Sequence, residues 1–313
     1  VEHLAAHPIL GPRYGSDIKH FPSALFAVLG HDSLLAQVFE EVQGSTSRLL
    51  GAGLGVFVSD DFLQQIKTAP SFWAGSELVK RMASGKSPIV SDAEVRQANA
   101  TVGLNLLVWH CTIHPEDFKR AELATTVMTA FEQGYRGFQL RELLGQADCL
   151  EHLYGMCNAG GLYFDPLQGS YGSFPEVNAH SFLDEPRNVG MTRDLAMTRG
   201  ASWVGSLFLY SPAQLGLSPS EQRLLHSAFS GGTDGELSNM LGVSLFAVKK
   251  SWRAIYERVA ECLPELVPDR SEIDGQTPSR GKQKKQRLLA YLREHPEELR
   301  PVSRKLLRQR AGK

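Results

Sequence analysis

The chain has 313 residues, room for two ordinary domains or one large one. With 42% hydrophobic, 21% charged and 9% aromatic residues, a packed core is within reach and wholesale disorder is excluded. Four scattered cysteines, Cys111, Cys149, Cys157 and Cys262, exclude a disulfide scaffold, and no apolar run approaches the roughly 20 residues of a membrane span. No signal-like segment opens the sequence, so the expected compartment is the reducing cytoplasm.

The net charge of −1 hides an asymmetry. From Ser279 onward 12 Lys/Arg stand against 3 Asp/Glu, or +9, which leaves 21 basic and 31 acidic residues before it, or −10. A basic end on an acidic body points to a polyanion partner.

In chain order, His31 to Leu50 reads as an amphipathic helix, with Leu34, Leu35, Val38, Phe39 and Val42 spaced for one face. Leu54 to Val58 reads as a strand framed by Gly51, Gly53 and Gly55. Ser71 to Met82 is expected to be helical, Ser87 to Val90 extended, and Gly103 to Ile113 is the strongest strand. Pro115 to Gly134 reads as a helix, with Pro115 in its first turn and Glu116 and Asp117 where the dipole favours acids. Gly161 to Phe164 and Ala201 to Tyr210 are further strand candidates. This mixed order predicts an α+β domain around a mostly antiparallel sheet with helices on one face, as in sensor modules. The element order is PAS- or GAF-like, and the domain is expected to span 1–212, with a boundary at Pro212 to Gly216.

Several constellations in this region carry no chemistry. Gly51-x-Gly53-x-Gly55 precedes a strand, whereas a dinucleotide loop follows one and opens a helix. Asp60 and Asp61 resemble a receiver-domain acidic pair, but the repeating βα pattern is missing. Alternation sends His110 and Cys111 to opposite faces, although His110 and His114 could share one, and the other candidate ligands, Cys149, His152 and Cys157, are distant in sequence, so core or pocket-lining side chains are expected instead of a metal site. No nucleophile elbow, zinc-protease motif or phosphate loop occurs, so no enzyme, cofactor or metal is expected. Trp73, Trp109, Tyr163 and Trp203 are candidate pocket or core aromatics for a small-molecule effector.

Leu217 to Val259 is the informative stretch. Ser218-Pro219-Ser220-Glu221 is a capping box with proline at the first helical position, and Thr233-Asp234-Gly235-Glu236 repeats the device. Gly242 suits a left-handed helix end, and Ser244 suits the cap of the next helix. In that last helix Val248, Trp252, Ile255 and Val259 make one apolar stripe, leaving Lys249, Lys250 and Arg253 on an outer face. Capped helix, glycine turn and basic helix are the parts of a DNA-binding helix-turn-helix.

The same residues resemble the C-terminal DNA-binding domain of LuxR-type transcriptional regulators. Leu217, Ser218 and Glu221 match its opening, and Gly232 to Glu236 with Leu237-Ser238 match its central block. Leu241-Gly242-Val243-Ser244 and Ala247-Val248-Lys249 match its turn and recognition helix, and Ile255, Arg258 and Val259 match its close loosely. Ala247 stands where the family usually has Thr, Ser251 where His is common, and Leu245 and Phe246 where polar groups often sit. The resemblance implies an all-α helix-turn-helix over 213–264 and double-stranded DNA as partner. It further implies a homodimer on two half-sites, contact with RNA polymerase, and transcriptional control by the N-terminal sensor. Ser244, Leu245, Phe246, Lys249, Lys250 and Arg253 are the expected DNA-facing residues.

Residues 265–313 read as a linker and a basic helical tail: Pro264 to Pro278 is a linker with Pro, Asp and Gly, followed by short helices over Gln283 to Leu292 and Val302 to Arg310. Lys282, Lys284, Lys285 and Arg287 are expected to add phosphate contacts. The competing readings are a sigma-factor-like promoter-recognition protein, an enzyme with a DNA-binding tail, and a protein-binding adaptor with a helical C-terminal module.

Overall fold

The computed structural model describes residues 10–68, 73–113, 117, 119–147, 149–174, 186–200, 202–266, 280–303 and 305–307. The chain divides into two units, Val1–Leu209 and Tyr210–Lys313. The described elements of the first begin with α1 (Leu10–Tyr14), a 3-10 turn (Gly15–His20), α2 (Phe21–Val28) and the hairpin β1 (Leu34–Gln43) and β2 (Thr46–Val58). They continue with α3 (Asp60–Thr68), α4 (Ala74–Ala83), α5 (Asp92–Asn99), β3 (Leu104–Ile113), α6 (Ala121–Tyr135), β4 (Leu140–Ala147) and α7 (Leu150–Asn158). They end with β5 (Leu162–Asp165), β6 (Ser170–Gly172), β7 (Arg187–Thr192), α8 (Arg193–Thr198) and α9 (Trp203–Ser206). The seven strands form one sheet in the order β1-β2-β3-β4-β7-β5-β6. Its described neighbours are antiparallel except for β3 and β4, which run parallel.

Helices cover both faces of this sheet, not one. Val56 and Val58 of β2 and Leu107 of β3 pack with Phe62, Leu63 and Ile66 of α3 and Leu78 and Val79 of α4. Phe57 and Leu106, their neighbours in sequence, pack on the other side with Val95 of α5 and Tyr135 of α6. Apolar groups are therefore needed at consecutive positions, which is why the central strands read as unbroken hydrophobic runs.

Two expected elements change type. His31 to Leu50 is not a helix but most of the β1–β2 hairpin, paired from Leu34↔Val56 to Gln43↔Thr46. Gly44, left-handed at φ 62°, opens its two-residue turn, and the Thr46 hydroxyl donates to the Gln43 carbonyl at 2.8 Å. The spacing of Leu34, Leu35, Val38, Phe39 and Val42 mimics a helix, but cross-strand pairing overrides it, leaving Val38 and Val42 exposed and Phe39 buried. The strand expected from Ala201 to Tyr210 is absent over its described residues, 202–210. The Ser202 hydroxyl accepts the Gly205 N–H at 2.9 Å and caps α9, which buries Val204 against the helical layer. The helix expected from Pro115 begins at Ala121, and Asp117 instead bridges Arg48 and Arg120 at 2.9 and 3.0 Å. Pro115, Glu116 and His114 lie outside the described residues.

The glycines at 51 and 55 serve close packing within β2. A Cβ at Gly51 runs into the Thr112 carbonyl, and one at Gly55 runs into the Tyr135 ring. Between them the β2–β3 register slips, with Leu54 opposite His110 but Gly55 opposite Val108, so Trp109 is the extra residue of a bulge. The slip brings both Trp109 and His110 to the Phe21 ring, at 5.3 and 6.4 Å between centroids, while Cys111 is exposed.

The described elements of the second unit are all helical: α10 (Pro219–Ala228), α11 (Asp234–Leu241), α12 (Leu245–Cys262), a 3-10 turn (Pro264–Leu266), α13 (Arg280–Glu294) and a 3-10 turn (Pro296–Leu299). Leu224, Leu225, Leu237, Val248, Trp252, Ile255 and Val259 form its core. Leu288, Leu289 and Leu292 of α13 and Leu299 belong to the same cluster, so this described part of the basic tail is packed and not a solvated appendage. Glu298 fastens it. Its carboxylate, 1% exposed, accepts the N–H groups of Gln214 and Leu215 at 2.8 and 2.9 Å. The Gln222 amide donates to the Glu298 and Arg300 carbonyls at 3.2 and 2.8 Å. Of the linker expected from Pro264 to Pro278, Pro264–Leu266 form the 3-10 turn and the rest lies outside the described residues, and of the expected last helix residues 305–307 are helical.

Candidate nucleic-acid interface

The candidate surface is the outer side of α12, and its placement starts with the caps of the helices before it. The Ser218 hydroxyl accepts the Glu221 N–H at 3.3 Å, while the Glu221 carboxylate accepts the Ser218 N–H at 2.6 Å. Thr233 and Glu236 repeat this exchange at 3.3 and 2.6 Å. Glu221 also takes the Arg258 guanidinium at 2.6 Å, tying the start of α10 to α12. Burial works to raise the Glu221 carboxyl, but the Arg258 and Ser218 hydrogen bonds outweigh it and hold the group below the usual carboxylate range.

Gly242 ends α11 at φ 64° and ψ 31°, a left-handed conformation that costs a residue with a Cβ about 1–2 kcal/mol. The Val243 N–H then donates to the Ser238 carbonyl at 3.1 Å, and the Ser238 hydroxyl donates to the Val243 carbonyl at 2.6 Å. Ser244 caps α12 by accepting the Ala247 N–H at 3.1 Å. Only Gly242, Val243 and Ser244 separate the two helices.

On α12 the buried stripe is Val248, Trp252, Ile255 and Val259, as its spacing predicts. Leu245, Phe246, Lys249, Lys250 and Arg253 are all exposed. At offsets of three, four and seven residues, Phe246, Lys249, Lys250 and Arg253 share one outward face. Among the described residues no acid lies within ion-pair distance of Lys249, Lys250 or Arg253, whereas Arg258 and Lys285 of the same unit are paired. Ser244 is exposed too, with its hydroxyl already engaged in the cap.

The three described tail cations differ in their settings. Lys285 is partly buried, donating to the Gly232 carbonyl at 3.1 Å and lying 3.8 Å from the Asp234 carboxylate and 5.0 Å above the Trp252 ring. It shares the inner face of α13 with Leu288, Leu289 and Leu292. Arg287 is exposed, Lys284 is half-buried, and the Lys282 side chain lies outside the description.

In the N-terminal unit the four candidate aromatics do not converge. Trp109 packs in the cluster on one face of the sheet and Trp203 against the cluster on the other. Tyr163 stands edge-on to Phe174, and Trp73 lies under the Arg13 guanidinium. A buried polar group that sequence reasoning missed lies elsewhere in this unit. The Lys67 ammonium meets both Glu142 oxygens at 2.9 and 3.1 Å, and the Tyr171 hydroxyl donates to Glu142 at 2.6 Å. Burial, and then the Glu142 charge, push the Tyr171 hydroxyl well above its ordinary pKa. These residues are 75 and 29 positions apart, so no local motif announces them.

Among the described residues no group of three or more His, Cys, Asp or Glu is placed to hold a metal, and no helix is long and apolar enough to cross a membrane. Compared with protein-family models, curated proteins and solved structures, the chain matches none.

Proposed function

We propose that this chain is a DNA-binding transcriptional regulator whose second unit is a LuxR-type helix-turn-helix, with α12 as the helix that enters the major groove. The observation that carries this reading is the face of α12 bearing Lys249, Lys250 and Arg253, exposed, free of described acidic partners and opposite the core stripe. Support comes from the three-residue turn and left-handed Gly242, which join a short capped helix to a longer one. The N-terminal α+β unit is the regulatory part of the proposal, PAS- or GAF-like in its order of helices and strands, controlling the helical unit in a homodimer.

A gel-shift salt series tests it. Each phosphate neutralised adds about −0.9 to the slope of log affinity against log salt for duplex DNA. Lys249→Ala with Arg253→Ala is expected to weaken binding and make the slope shallower by about 1–2 units, with the helical circular-dichroism signal kept. An unchanged slope in a folded double variant assigns the DNA contacts to another surface, and no retardation of duplex DNA by the full chain even at low salt favours the protein-binding alternative.

A further inference from the structure

Phe246 is 77% exposed, flanked in sequence by Leu245 and Val243, each 44% exposed. Folding gives no reason for this placement, because Val248, Trp252, Ile255 and Val259 already fill the core side of α12. Phe246 precedes Lys249 by three residues, Lys250 by four and Arg253 by seven, so it stands at the N-terminal end of the basic face. An apolar group beside three cations that have no acidic partner among the described residues is complementary to a polyanion that also presents apolar groups. Duplex DNA does so in its major groove, where the C5-methyl of thymine projects between the phosphate walls.

The first turn of α12 limits the available readout. N-terminal residues of a groove-bound helix are the ones that reach base edges. Here those residues are Leu245, Phe246 and Ala247, which carry no hydrogen-bonding side chain, and the Ser244 hydroxyl before them accepts the Ala247 N–H, which leaves its own O–H as the one polar side-chain donor. Side-chain discrimination by the first turn itself is therefore apolar. Resting on the DNA-binding reading above, we propose that Phe246 is a specificity-determining residue that reads thymine through its methyl group, flanked by Leu245. Lys249, Lys250 and Arg253 hold the adjoining backbone. The preferred sites carry thymine beneath the first turn of α12, and Phe246 sets that preference while contributing little to non-specific affinity.

Uracil is the discriminating probe, because it keeps the hydrogen-bonding edge of thymine and lacks only the methyl. Duplexes selected by the full chain from a random-sequence pool are remade with deoxyuridine in place of thymidine and titrated against the full chain. Affinity is expected to fall about fourfold per contacted methyl. Phe246→Ala, a change at an exposed position, is expected to bind the two duplex forms equally. Equal binding of both forms by the unaltered chain overturns the methyl readout while leaving DNA binding intact. Discrimination that persists in Phe246→Ala overturns the assignment to this residue. If no duplex is retained even at low salt, the DNA-binding reading itself fails, and the readout with it.

Discussion

Burial pushes the Glu298 carboxyl above the usual carboxylate range, although the N–H groups of Gln214 and Leu215 and the Tyr291 hydroxyl donate to it. A carboxyl whose folded pKa is raised contributes stability that is complete below its unfolded pKa and is lost as pH rises through the folded one. Glu221, held below the usual range, behaves in the opposite sense, and its contribution fades as pH falls. Glu298→Gln replaces one acceptor oxygen by an amide, leaving a buried N–H unpaired at a cost of about 1–3 kcal/mol. Denaturant unfolding across the weakly acidic range is expected to show that deficit largest at low pH and narrowing as pH rises. A constant deficit shows that Glu298 titrates alike in both states. Lys67 makes a second residue-scale case, since it and Glu142 are both buried and meet at 2.9 Å. Lys67→Met strands the carboxylate and is expected to cost about 3–5 kcal/mol by the same unfolding measurement. A loss under 1 kcal/mol shows that water reaches Glu142.

At the scale of elements, α13 decides whether the basic C-terminus is a tail or part of a fold. Its cations are what the sequence displays, but Leu288, Leu289 and Leu292 fall on one helical face and are buried with Trp252 and Ile255. Burying a leucine side chain contributes roughly 1.5–3 kcal/mol, so removing all three takes away about 5 kcal/mol or more from a total of similar size. A fragment of residues 210–266 is therefore expected to lose cooperative thermal unfolding, while 210–313 unfolds in one transition. A sharp transition in the shorter fragment refutes a structural role for α13. The hairpin teaches a related lesson. The side chains of β1 satisfy a helical period, and only Gly44 and the complementary run Leu50 to Val58 on β2 favour the strand.

At the scale of the molecule, each unit has its own core: two apolar layers about the sheet in Val1–Leu209, and one helical cluster in Tyr210–Lys313. Polarity is unevenly divided between them. The sheet unit buries the Lys67–Glu142 pair at its centre, whereas the helical unit leaves Lys249, Lys250 and Arg253 in water. Charges placed in water cost the fold little and remain available to a partner, which is why the interface is sought on α12.

The sequence by itself determined what depends on near neighbours. The capping boxes at Ser218 and Thr233, the turn at Gly242 and the stripe from Val248 to Val259 each need residues no more than a few positions apart, and all are present. The strand over Leu104–Ile113 was legible because its apolar run is long. Tertiary structure alone decided what depends on distant partners. Strand pairing turned His31 to Leu50 into a hairpin, and a bulge in that pairing swung Trp109 and His110 to one side. A shared core drew α13 and Lys285 into the bundle. Helical contacts recur every three or four residues and are written into the local pattern, whereas sheet register and interhelical packing join residues tens of positions apart, where one sequence read alone holds no matching signal.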